Sequence, residues 1–214
     1  MIKLDIISDP VCPWCYIGKA NLSRALEAHP DHPLTLEWHP FQLNPEMPKG
    51  GMDRREYLET KFGGREKAAE VYARIAEHAE AAGLEIAWDK ITRMPNSLDA
   101  HRLIHWAGIE GRQTPMVGRL FRAYWQEGRD IGEAETLTEL AGEVGMDKAL
   151  VAELLKGDAD AEDIRARDRH SRSRGVSGVP TFVVAGQHVV SGAQPPELWN
   201  QVIEDIQAQL KEQS

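Results

Sequence analysis

Cysteine is scarce: two residues in 214, Cys12 and Cys15. A disulfide-stapled scaffold needs several cysteines at varied spacing, so that class is excluded. A structural zinc site needs four ligands, and neither a second cysteine pair nor a tight Cys–His cluster completes one, so no metal is expected. Long apolar runs are also lacking, and no stretch is long enough to cross a bilayer. Met1 leads directly into Ile2-Lys3-Leu4-Asp5, which puts charge where a secretory signal needs an apolar core. A cytoplasmic location is the expectation. Positive charge is in deficit, with 25 Lys and Arg against 34 Asp and Glu and a formal net charge of −9. That balance favours solubility and disfavours nucleic acid or an anionic membrane as partner. No internal repeat and no low-complexity segment is present. What remains is an ordinary globular composition, 42% hydrophobic and 28% charged.

Residues 2–8 alternate Ile2, Leu4, Ile6 against Lys3, Asp5 and stop at Ser8-Asp9-Pro10, the pattern of a short strand. A helix opens at the cysteines with Pro13 in its first position, where a missing N–H costs nothing. Cys15, Leu22, Ala25, Leu26 and His29 keep helical spacing, and Pro30 and Pro33 close the helix. Leu34-Thr35-Leu36-Glu37-Trp38 reads as a second strand, so the first forty residues form a βαβ unit with parallel pairing. From about residue 53 the pattern is helical for nearly a hundred residues. Val71, Tyr72, Ile75 and Ala79 make one apolar stripe. Asn96 reads as a helix start, Thr114-Pro115 as another, and Leu137 and Leu150 lie in two more helices. Asp160 opens a helix with acids in its first turn and Arg172 and Arg174 near its end, which complements the helix dipole. That accounts for the basic stretch 165–174 without nucleic acid. Residues 181–184 and 188–191 read as a hairpin, and Pro195-Pro196 opens a final helix. The layout predicts an α/β thioredoxin-like fold with an inserted all-helical domain: thioredoxin-like parts at 1–50 and 158–214, and a helical insertion at 51–157.

A Cys-x-x-Cys pair at a helix start has a specific logic. The first-turn amides lack helical partners, so the Cys12 sulfur is expected to accept from Trp14 and Cys15 N–H and to ionise readily. Cys12 then attacks a substrate sulfur, and the shielded Cys15 resolves the mixed disulfide. The helix dipole contributes about 0.3–2 kcal/mol to that ionisation. Trp14 adds no charge, and Asp5 and Asp9 oppose a thiolate if they approach it. Two unreactive core thiols are the bland alternative, disfavoured by strand before, proline inside and helix after. The second marker is Gly178-Val179-Pro180-Thr181-Phe182, a proline at a strand start where it need not donate to the ladder. The Val179 backbone there can pair with an extended substrate segment.

Taken together, Ser8-Asp9-Pro10-Val11-Cys12-Pro13-Trp14-Cys15-Tyr16-Ile17-Gly18, Trp38-His39-Pro40-Phe41-Gln42-Leu43-Asn44-Pro45, Asn96-Ser97-Leu98-Asp99-Ala100-His101 and Gly175 to Phe182 resemble the FrnE-type branch of the DsbA family. The resemblance spans nearly the whole chain. It implies a thioredoxin fold with a helical insertion, a redox-active Cys12–Cys15 pair and a cis Val179–Pro180 bond. Kappa-class glutathione transferases and 2-hydroxychromene-2-carboxylate isomerases are similar around Asn96-Ser97 and Val179-Pro180, but they carry Ser where Cys12 stands and lack the second cysteine.

The expected activity is therefore thiol–disulfide exchange on protein or small-molecule substrates, with direction open and no tightly bound cofactor. Glutathione is a candidate redox partner, and the chain is a monomer or homodimer. A glutathione-dependent transferase or isomerase is the alternative reading, and a chaperone-like binding module a third. Candidate substrate-binding residues are Pro13, Trp14, Val179, Pro180, Asn96 and His39. Trp38 and Phe41 are first core residues and second groove residues. His101 and His105, four apart, are read as structural because two ligands alone make no metal site.

Overall fold

The computed structural model describes residues 1–212. The chain begins with strand β1 (Ile2–Ser8), helix α1 (Pro13–Ala28) and strand β2 (Leu34–Pro40). β1 and β2 pair in parallel from Ile2↔Leu34 to Ser8↔Pro40, as a strand–helix–strand crossover requires. Pro13 occupies the first helical position of α1, and the inward face carries Cys15, Ile17, Leu22 and Ala25.

The next segment holds β3 (Met52–Asp53), α2 (Arg54–Phe62), α3 (Arg65–Ala81), β4 (Arg93–Met94), α4 (Leu98–Ile109), α5 (Gln113–Trp125), α6 (Ala134–Glu143) and α7 (Lys148–Lys156). It is not purely helical, which corrects the expectation: Met52 pairs antiparallel with Met94 and Asp53 with Arg93. Two-residue strands carry no alternation for a sequence to reveal. Gly51 adjoins this ribbon at φ 65°, and a Cβ there would lie 2.6 Å from the Met94 carbonyl. The start of α5 also differs. Arg112, not Thr114, is its cap residue, because the side chains just inside the helix serve β2 instead. Gln113 accepts from Trp38 N–H at 2.9 Å and donates to Trp38 O at 3.0 Å, and Thr114 Oγ1 accepts from Trp38 Nε1 at 3.0 Å.

The chain returns through α8 (Ala161–Ser173), β5 (Thr181–Val184), β6 (His188–Ser191) and α9 (Pro196–Glu212). β5 runs antiparallel to β1 and to β6, giving a mixed sheet of order β2-β1-β5-β6. With α1 and α9 packed together beside it, this is the thioredoxin-like arrangement. One apolar core joins the sheet to the helices, with Trp125, Trp199, Phe121 and Phe182 fully buried. Each such ring contributes about 1.5–3 kcal/mol. The arginines of α8 meet acids of the same helix, Arg169 with Glu162 at 2.6 Å and Arg172 with Asp168 at 2.9 Å.

Candidate active site

The site forms where β1 ends and α1 begins. Cys12 is the residue before the first helical turn, at φ −90° and ψ 119°. The pairing of Ile7 with Thr181 draws the segment before β5 alongside it. The Val179–Pro180 peptide bond is cis. The Cys12 thiol donates to the Val179 carbonyl oxygen at 3.6 Å, across 167 residues of sequence. Thr181 Oγ1 closes the turn by donating to Gly178 O at 2.7 Å. On the helix side, Gly18 leaves room for the loop: a Cβ there would sit 3.0 Å from Pro180 Cγ and 3.4 Å from Phe182 Cζ.

Cys15 lies one turn into α1, and both thiols are free. Burial raises its pKa well above the ordinary thiol range. Its thiol also donates to Cys12 and feels the Cys12 charge, while Ser8 and the Asp9 amide pull weakly the other way. Cys15 therefore holds its proton and presents it to the Cys12 sulfur.

One expectation needs correction. No helix-start amide bonds the Cys12 sulfur: Pro13 has no N–H, and the side chain turns instead toward the Val179 carbonyl. Cys12 is also not open to solvent, being only 3% exposed. Attack on any substrate requires the covering segments to part.

Beneath the pair lies a buried polar knot around Asp9, which is fully enclosed. Its carboxyl accepts from Val11 N at 3.2 Å, Leu43 N at 2.7 Å and Ser97 Oγ at 3.2 Å. His101 Nε2 stands 3.7 Å away and 3.2 Å from Phe41 O, an acceptor, so that nitrogen carries the ring proton. Burial raises the pKa of Asp9 and lowers that of His101, and their mutual attraction opposes both shifts. His105 meets Arg167 instead, at 3.2 Å, so the two histidines serve different neighbours.

The other candidates fall in different places. Trp14 packs edge-on to His78 at 5.0 Å between ring centres, and joins Tyr72 and Trp88 in one apolar cluster. His39 bonds Asp5 at 2.6 Å and borders a groove of about 880 Å³ that also reaches Val179 and Pro180. Asn96 is occupied structurally, accepting from Leu98 N at 2.9 Å and donating to Met47 O at 2.6 Å. Trp38 and Phe41 are core residues. Asp5, Glu37 and His39 are the one group of potential metal ligands that comes together among the described residues. The Lys3 ammonium already bridges its two carboxylates, at 2.8 and 2.7 Å.

Sequence reasoning missed Tyr72 and His78 as neighbours of the reactive centre. Tyr72 lies close enough to Cys12 for its hydroxyl to feel a charge there, although burial is the larger cause of its raised pKa. Its helical spacing marked only an apolar stripe, and nothing in that spacing tells a core face from a site wall.

A cysteine pair at a helix start, opposite an X-Pro loop on a mixed four-stranded sheet, defines a thioredoxin-like dithiol protein. The family model described as DSBA-like thioredoxin domain matches residues 3–204, and the chain belongs to that family. It is similar to a probable DsbA oxidoreductase of Streptomyces coelicolor, with 32% identity and a TM-score of 0.84 over 96% of this chain and 89% of that one. A 2-hydroxychromene-2-carboxylate isomerase superposes with a TM-score of 0.74 and 18% identity, covering 99% of this chain and 99% of the other. The cytosolic disulfide reductase DsbM of Pseudomonas aeruginosa, solved with GSH, gives 0.66 and 24%, covering 98% and 99%. The last two likenesses lie in the fold. Among the described residues no helix is long and apolar enough to cross a membrane.

Proposed function

We propose that the protein carries out thiol–disulfide exchange, with Cys12 as nucleophile and Cys15 as resolving thiol. The observation that carries this reading is the Cys15 thiol, buried and proton-bearing, donating to a Cys12 sulfur that also faces the Val179 carbonyl. The Cys12 thiolate attacks a substrate disulfide, one substrate sulfur leaves, and Cys15 then displaces the other as the Cys12–Cys15 disulfide forms. The two electrons pass to the substrate.

Reduction or isomerisation is the favoured direction. Strong oxidants of this kind owe their potential to a stabilised reduced form, and here no backbone amide caps the Cys12 sulfur. A cytoplasmic setting, where thiols stay reduced, accords with that direction. Glutathione is the proposed small-thiol partner, in line with the ligand of the DsbM structure. Pro13, Trp14, Val179 and Pro180 border the reactive sulfur as substrate contacts, with His39 at the groove and Asn96 as a support behind it. Residues 51–157 form the helical insertion between thioredoxin-like parts 1–50 and 158–214.

The test is turnover of a model disulfide with glutathione as reductant. Cys12→Ser should abolish it, and Cys15→Ala should trap a mixed disulfide on Cys12. Full activity in Cys15→Ala would instead favour the transferase or isomerase reading.

A further inference from the structure

One turn past Cys15, α1 carries an amine that thiol exchange does not use. Lys19 faces α5, and the two helices are drawn together there by Tyr16, whose ring stacks on Phe121 with centres 5.1 Å apart. Beside that stack stands Gly118. From the point where its Cβ would lie, Lys19 Cε is 3.4 Å away, Lys19 Nζ 3.7 Å and Arg122 Nη1 3.5 Å. An ammonium and a guanidinium therefore share one small space. Like charges this close repel, and each would gain from an anion between them. Lys19 Nζ reaches the Ser23 hydroxyl at 3.4 Å, and neither cation has an ion-pair partner among the described residues. The Tyr16 hydroxyl, hydrogen-bonded to Gln126, supplies no negative charge, because burial raises its pKa.

Lys19 is half-buried. Burial lowers its pKa from the ordinary lysine value, the Arg122 charge lowers it further, and Glu27 on the same helix opposes both. More of it is therefore the neutral, nucleophilic amine at neutral pH than of an exposed lysine. Arg122 offers a planar fork of N–H donors at the same place, the geometry that takes a phosphate by two hydrogen bonds. Amine and fork together fit an acyl phosphate, whose electrophilic carbon adjoins an anionic leaving group.

We propose that Lys19 is a site of covalent acylation by small acyl phosphates, with Arg122 holding the phosphate while the Lys19 amine attacks the adjoining carbonyl carbon. An amide N–C bond forms, and the bond from that carbon to the phosphate oxygen breaks. Phosphate leaves with the electron pair of the broken bond and takes up the proton that the amine loses. Nothing is oxidised or reduced, and neither cysteine takes part, so the reaction stands apart from the exchange proposed above. The product has lost the Lys19 charge, and with it the repulsion toward Arg122.

The experiment acetylates the full chain with acetyl phosphate and, in parallel, with uncharged N-acetoxysuccinimide, and reads each lysine by peptide mass spectrometry. Lys156, exposed and paired with Glu153 at 2.7 Å, is the internal reference. With acetyl phosphate near neutral pH, Lys19 should be modified faster than Lys156. The same two reactions are then run on Arg122→Gln, a change at an exposed position that leaves the core intact. It should lower the ratio of the acetyl phosphate rate to the ester rate at Lys19 by about tenfold, the size of one charge-assisted hydrogen bond. The same ratio at Lys156 should not move. Because both rates are read at one amine, a change in its protonation cancels from the ratio. Lys19 modified no faster than Lys156 by acetyl phosphate overturns the proposal, and so does a Lys19 ratio that Arg122→Gln leaves unchanged.

Discussion

The Val179 carbonyl oxygen stands 3.6 Å from the Cys12 sulfur, and the buried Cys15 thiol is hydrogen-bonded to the same sulfur. Val179 is held there by the turn into β5, and Cys15 by the first turn of α1. The sulfur is thus clasped between the two halves of the thioredoxin-like sheet, which the long helical segment separates in sequence. An extended substrate strand that paired with the Val179 backbone would have to displace the Cys12 thiol from that carbonyl. Binding and exposure of the nucleophile are then one event.

The two thiols should therefore label unequally and slowly. Near neutral pH, limiting iodoacetamide should give a single adduct on Cys12, because Cys15 is buried and keeps its proton well above the usual thiol range. Labelling of the native chain should be about tenfold or more slower than in urea, since Cys12 reacts only from an opened form. Peptide mass spectrometry reads both results. Cys15 labelled first, or native labelling as fast as unfolded, would contradict the clasped arrangement.

Much of this fold was legible because each local signal had one physical meaning. Pro13 fits only the start of a helix, and Ile2, Leu4 and Ile6 alternate as a strand must. The acids and arginines of residues 160–174 complement a dipole, and they fall on one helix. The illegible parts are those that only tertiary contact decides. Thr114 gave a cap-like pattern but is spent, with Gln113, on Trp38. Met52 and Arg93 are too few residues from any strand pattern. Tyr72 keeps the same helical spacing as a core residue whether or not a cysteine lies beyond it. The orientation of the Cys12 sulfur, toward a carbonyl rather than the helix amides, follows from a loop 167 residues away.

The Asp9–His101 knot makes stability depend on pH with a definite sign. Burial depresses the folded-state ionisation of His101, so the unfolded chain binds its proton more readily. Stability should fall as pH drops below the unfolded value of about 6.5, with a slope of up to about 1.4 kcal/mol per pH unit for one proton. Asp9 acts oppositely: its folded pKa is raised, so its cost is present above the unfolded carboxylate range and is relieved as pH falls through its raised value. Urea melts from neutral to mildly acidic pH should show the His101 slope first, and His101→Gln should flatten it. A slope that His101→Gln leaves unchanged would mean that another group carries it.

The helical segment hangs on a single cation. Arg102 is 2% exposed, yet all its directions are used: Nε donates to Ala159 O at 2.6 Å, Nη1 to Asp99 Oδ1 at 2.7 Å, and Nη2 to Leu154 O and Gly157 O at 2.8 Å each. These bonds tie α4 to the end of α7 and the turn into α8. Arg102→Met removes the charge but leaves three carbonyls and a carboxylate without their donor, so it should cost about 3–5 kcal/mol in urea unfolding. Arg102→Lys should recover little, because one ammonium cannot span acceptors set for a planar fork. Because α4 also carries His101 against Asp9, just before the cysteines, loosening this anchor should speed Cys12 labelling as well. A loss of about 1 kcal/mol or less, with labelling unchanged, would show that α4 is held by its apolar face alone.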